Sequence, residues 1–172
     1  HLGGAVCSEP CEDKCPDGWS CESVGGSGTD LVYICVSKFT NLCRPCTEAS
    51  DCVSAQGVED ACVSYGEEGS FCGGVCGDES PCPEGFACQD AVTVDGVPTQ
   101  QCVNVTGICE CTEKSENLAL FTECSRENEF GVCKGMRVCS GGGLTACDAL
   151  EPAEEVCNGL DDDCDGEVDE VS

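Results

Sequence analysis

The chain has 172 residues and a formal net charge of −27, from 34 Asp and Glu against 7 Lys and Arg. Leu, Ile, Val and Phe together number only 33, too few with this charge to offset chain entropy by burial, so order must come from the 22 Cys. Scattered Lys and Arg exclude nucleic acid as a partner, the acidic surface excludes an anionic membrane, and no run of about 18 apolar residues can span one. So many cysteines imply an oxidising compartment, hence a secreted or cell-surface chain. His1 in place of Met, with no charged-then-apolar leader after it, is expected of a mature chain or a fragment.

The expected fold class is small and disulfide-rich, made of short β-hairpins and irregular loops with little helix, in tandem cysteine-stapled modules set in an elongated arrangement. In chain order, residues 1–50 form a first cysteine-rich repeat, in which Leu31–Val36 reads as a strand after a Gly25–Gly28 turn. Residues 51–71 form a connecting hairpin segment, with Cys62–Tyr65 and Ser70–Cys72 flanking Gly66–Gly69. A second repeat follows over 72–115, in which Ala91–Val94, the Asp95-Gly96 turn signal and Gln101–Val105 make a hairpin. Residues 116–156 form a cysteine-rich hairpin module, and Val132–Cys139 reads as a hairpin of its own. Ser115–Glu123 reads as the one helix, capped by Ser115 and burying Leu118, Leu120 and Phe121. Residues 157–172 form an acidic, Asp-rich calcium-binding loop.

The two repeats are visible in the cysteines. Cys7, Cys11, Cys15, Cys21, Cys35, Cys43 and Cys46 align with Cys72, Cys76, Cys82, Cys88, Cys102, Cys109 and Cys111, and Cys15-Pro-Asp-Gly-Trp-Ser-Cys21 matches Cys82-Pro-Glu-Gly-Phe-Ala-Cys88. Seven is odd, so if every cysteine is oxidised each copy must bond outside itself. The expected exits are Cys46 or Cys43 to the Cys52–Cys62 segment, and Cys111 or Cys109 to Cys124. Connectivity beyond that stays open. Trp19 and Phe86 occupy equivalent places and are expected to plug their modules.

Chemistry concentrates at the C-terminal end. Asp161-Asp162-Asp163-Cys164-Asp165-Gly166 alternates carboxylates and turns at a sixth-position Gly, the pattern with which a loop wraps a hard cation needing six to eight oxygens. Asp161, Asp163 and Asp165 take positions one, three and five; the Glu167 carbonyl takes position seven and Asp169 position nine. Ser172 stands where a bidentate Glu is expected, and Glu170 is its substitute two residues earlier. Cys157 and Cys164 bracket the loop as a staple. The bland alternative, a solvated acidic tail, explains neither the alternation nor the Gly.

This ending, Glu-x-Cys-Asn-Gly-x-Asp-Asp-Asp-Cys-Asp-Gly-x-Val-Asp-Glu, resembles the metal-binding motif named after MopE, a surface copper protein of methanotrophs, which recurs in cysteine-rich secreted proteins of myxobacterial type. Gly131–Cys139 and Gly143–Cys147 are similar to the segment that precedes that motif, so the resemblance spans about residues 124–170. It implies a metal. Oxygen ligation by Asp favours Ca²⁺ over copper, for which His1 is the single imidazole.

Other chemistry finds little support. Cys43-Arg44-Pro45-Cys46 has redox spacing but sits among twenty other cysteines, and one terminal His cannot serve a catalytic triad. Asn104-Val105-Thr106 is a sequon, a candidate glycan site where the source has the transferase. The expected function is therefore non-enzymatic: a calcium-binding, disulfide-stabilised subunit or segment of a surface fibre, stalk or adhesin that self-associates. The alternative is a monomeric secreted protein that binds metal or glycan.

Overall fold

The computed structural model describes residues 9–11, 14–25, 31–53, 60–77 and 80–169. Strands β1 (Trp19–Gly25) and β2 (Leu31–Ser37) pair antiparallel, as do β3 (Cys62–Ser64) with β4 (Ser70–Cys72) and β5 (Phe86–Val92) with β6 (Pro98–Asn104). The fourth sheet has the order β7 (Phe121–Glu127), β8 (Val132–Ser140), β9 (Gly143–Leu144). Helical structure among the described residues amounts to α1 (Glu113–Asn117) and two 3₁₀ turns, Ala49–Cys52 and Gly66–Glu68. The fold is thus disulfide-rich and built from short antiparallel hairpins. None of its helices is long and apolar enough to cross a membrane.

Register explains how sulfur organises the chain. Cys21 faces Cys35 across β1–β2, Cys62 faces Cys72 across β3–β4, and Cys88 faces Cys102 across β5–β6. Facing cysteines do not bond each other. Each hairpin instead receives two bridges from the segment before it: Cys11–Cys21 with Cys15–Cys35, Cys46–Cys62 with Cys52–Cys72, and Cys76–Cys88 with Cys82–Cys102. The same first-to-third, second-to-fourth pattern occurs three times, so the 51–71 hairpin is a module of the same kind as its neighbours. The Cys46–Cys62 exit agrees with expectation. The Cys111 or Cys109 exit to Cys124 does not: Cys109 bonds Cys43, Cys111 bonds Cys139 and Cys124 bonds Cys147. Cys43–Cys109 thereby ties equivalent cysteines of the two repeats together, a contact across 66 residues that spacing cannot signal.

Of the 18 buried apolar residues described, 12 are cysteines, so the interior is chiefly sulfur. Cys46, Cys52, Cys62 and Cys72 form one cluster without any aliphatic member. A second joins Phe39, Leu42 and Cys102 to half-buried Cys76, Cys82 and Phe86. A third gathers Cys43, Phe71 and Cys109 against Tyr65, Phe86 and Leu144. Phe86 and Trp19 are both half-buried, Phe86 packing on the sulfur of its own module. Phe39 is the buried aromatic of residues 1–50, and it packs on that same second-repeat cluster. Phe39 fits because Gly74 offers it bare backbone: a Cβ there would come within 2.7 Å of its ring. Tyr65 meets Phe71 edge-on at 5.4 Å, and its hydroxyl accepts from the Asn104 amide at 3.1 Å.

Two local expectations fail for the same reason. The helix ends at Asn117, and Phe121 starts a strand, because Ala119 turns left-handed (φ 49°) and the following residues pair with β8. Its cap is Thr112, which accepts from the Ser115 amide at 3.1 Å, while Leu118 and Phe121 stay exposed. Val132–Cys139 is not a hairpin but part of one continuous strand. Gly135 within it lets the chain pass close overhead, since a Cβ there would collide with the Ala149 amide and the Asp148 carboxylate. In both places tertiary pairing outweighs local propensity.

Candidate metal centre

The strand pair β7–β8 is the platform for the C-terminal segment. Cys124–Cys147 fastens the chain as it leaves β9, and Arg126 donates to the Cys147 carbonyl at 3.1 Å. Asp148 exchanges hydrogen bonds with Met136 of β8. Farther on, Asn128 in the β7–β8 turn donates to the Pro152 carbonyl at 2.7 Å. Gly131 in that turn lies so near the Asp163 carbonyl that a Cβ would collide with it. Finally Cys133 of β8 bonds Cys164. The expected staple between Cys157 and Cys164 is therefore not formed: Cys164 is anchored to the platform, and Cys157 is exposed and unbonded. Cys7 lies outside the described residues.

From Pro152 onward the backbone curls around its own carboxylates. Each carboxylate accepts from amides a few residues away, as Asp side chains do in turns. Asp161 Oδ2 accepts from Gly166 N at 3.1 Å, Asp163 Oδ1 from Asp165 N at 3.1 Å, and Asp165 Oδ1 from Glu167 N at 2.8 Å. Gly166 is left-handed (φ 99°), which is why the sixth position of the loop requires a glycine. Asp169 Oδ1 accepts from Asn158 N and Gly159 N, both at 2.8 Å, and so closes the loop on its own start.

Glu155, to which the sequence pattern assigned no role, holds the centre. Its Oε1 accepts from Asp162 N at 2.6 Å and Asp163 N at 3.1 Å, and its Oε2 from Asp169 N at 2.9 Å. One ligand oxygen each from Glu155, Asp161 and Asp163 lies within 4.8 Å of the others. That spacing fits one coordination sphere, because two oxygens bonded to Ca²⁺ at about 2.3–2.6 Å can be no farther apart than about 5 Å. Asp161 Oδ1 is buried and has no hydrogen-bond donor among the described residues. Neither of the ion pairs formed among the described residues, Arg126–Glu151 and Arg137–Glu68, reaches the cluster.

Of the residues singled out in the sequence, the structure therefore brings Asp161 and Asp163 together. Asp165 and Asp169 lie on the loop with one oxygen each committed to backbone amides, and Glu167 is exposed. Glu170 lies outside the described residues. Glu155 could have been suspected from its place at the head of the Glu-x-Cys-Asn-Gly motif, but a ligand upstream of the first Asp is invisible to a loop template that counts forward. Comparison of the chain with family models, curated proteins and solved structures gives no match.

Proposed function

We propose that the chain is a secreted, disulfide-braced subunit or segment of a surface assembly, non-catalytic, whose C-terminal loop binds Ca²⁺. The observation that carries the calcium reading is Asp161 Oδ1, a buried carboxylate oxygen without a donor among the described residues, beside two further carboxylates. Burying such an oxygen costs free energy unless a partner compensates it. A hard cation supplies that partner, and carboxylates within one coordination sphere select Ca²⁺ over softer metals. The resemblance to the MopE-type ending points to the same place.

Support for a structural role is of a different kind. Ten bridges fix the described chain, and a sulfur core resists drying and proteolysis better than its few aliphatics could. The loop sits on a platform edge with Leu150, Val156, Leu160 and Val168 exposed on its segment. A calcium-ordered surface of that composition suits contact with a neighbouring subunit.

Two measurements test this. Calorimetry of the native chain is expected to show saturable Ca²⁺ binding with one dominant site, and absence of any calcium heat at about millimolar ion overturns the site. Negative-stain imaging with and without chelator is expected to show assemblies that shorten when Ca²⁺ is removed. A monodisperse particle in both conditions overturns the assembly and leaves a monomeric binder.

A further inference from the structure

A second site stands apart from the metal loop, where the first hairpin faces the chain around residues 60–80. There a cleft of about 320 Å³ opens between Ser20 and Glu22 of β1, Phe39, Asp60 and Val75. Asp60 is 3% exposed, and its Oδ1 accepts from the Val75 amide at 3.1 Å. Its Oδ2 is buried and has no donor among the described residues. Burial outweighs the Val75 hydrogen bond and raises the carboxyl to about 6. Lys38 lines the same cleft but forms no ion pair with Asp60 within 4.0 Å. A carboxylate with one buried oxygen left without a donor, on a residue that lines a ligand-sized cleft, is a binding group in want of a cation.

The surroundings select the kind of cation. Among the described residues Glu22 and Asp60 are the two carboxylates on the cleft wall, well short of the six to eight oxygens a calcium ion takes. Phe39 and Val75 supply apolar wall beside the carboxylate, and Ser20 and Ser80 supply hydroxyls at its border. Carboxylate, hydroxyl and hydrocarbon in one cleft match an ammonium head on an aliphatic stem. We propose that this cleft binds a primary alkylammonium ion, Asp60 Oδ2 accepting from the ammonium while Phe39 and Val75 flank the stem. The chemistry is the same whether the group belongs to a free amine or to a lysine side chain.

The test uses the intact, calcium-loaded chain at pH 7.5, with n-butylammonium as the free-amine probe and N-acetyl-lysine amide as the side-chain probe. Saturable one-to-one binding of butylammonium by NMR titration is expected to survive about 0.5 M NaCl, which screens the diffuse attraction of an acidic surface. Binding of the blocked lysine as well assigns the site to a protein side chain; binding of butylammonium alone assigns it to a free amine. Asp60→Asn keeps the acceptor for Val75 and is expected to weaken binding about tenfold or more. In the wild-type chain, amine saturation is expected to lower the Asp60 titration midpoint read from its carboxyl ¹³C shift, with Glu22 and Lys38, the other titrating groups among the described residues of the cleft, followed in parallel. No saturable binding of either probe, equal affinity in Asp60→Asn, or an unmoved Asp60 midpoint overturns the proposal. None of these outcomes bears on the calcium site.

Discussion

Cutting the Cys133–Cys164 bridge tests whether the platform preorganises the acidic loop for the proposed Ca²⁺. The variant is Cys133→Ala with Cys164→Ala, made on a Cys157→Ser background so that the exposed thiol cannot join the exchange. The bridge closes a sequence separation of 31, for which the chain-entropy relation gives about 3.7 kcal/mol at 25 °C. What would remain to hold the loop on β7–β8 is chiefly Asn128 to the Pro152 carbonyl, a contact of about 1 kcal/mol. Glu155 and the Ala153–Asp162 hydrogen bond close the loop on itself without anchoring it. Calcium affinity by calorimetry is thus expected to fall, by at most about 500-fold if the whole bridge contribution is felt at the loop and by at least about tenfold if a third of it is. Urea unfolding in chelator reports the remainder as lost global stability. A variant that binds Ca²⁺ within about twofold of its parent refutes the reasoning, since the loop would then be organised without its anchor.

Five further outcomes follow. Asp161→Asn is expected to lower calcium affinity by about 100-fold while leaving the calcium-free chain as stable or up to about 1 kcal/mol more so, because it relieves repulsion among clustered carboxylates; Glu155→Gln, which puts an amide NH₂ against backbone donors, is expected to cost about 1–3 kcal/mol with or without Ca²⁺. Asp60 sits at about 6 against a usual 3.8, so between those values the folded chain keeps a proton that the unfolded chain has released. Stability contributed by that proton is complete below the lower value and lost as pH rises through the upper one, by about 2–3 kcal/mol, a slope that urea titrations should find absent in Asp60→Asn. Gly131→Ala should displace the Asp163 backbone and weaken Ca²⁺ binding without loosening β7–β8, which amide exchange can separate. Thr122→Val removes the acceptor for the Ser70 amide at a fully buried position, and a loss of about 1–3 kcal/mol in urea unfolding is expected.

Where the sequence was legible, the signal was local. Asp95-Gly96 and Gly66–Gly69 marked real hairpin turns, because a left-handed backbone demands particular residues wherever it falls in a fold. The Asp alternation and Gly166 likewise specify a carboxylate-lined loop by themselves, since each Asp there bonds an amide only two to five residues away. The short helix and the Gly135 strand were misread because their fate depends on what packs against them.

Composition alone determined that cross-links rather than aliphatic burial hold this protein, for no folded arrangement could draw a sufficient core from so few large apolar residues. Only the tertiary structure decided which sulfur meets which, because a bridge forms between residues brought within a few ångströms, and for Cys43 and Cys109 or Cys133 and Cys164 that proximity comes from the packing of separate hairpins. The third stapled module, the anchoring of the acidic loop to β8 and the place of Glu155 at its centre all descend from that packing.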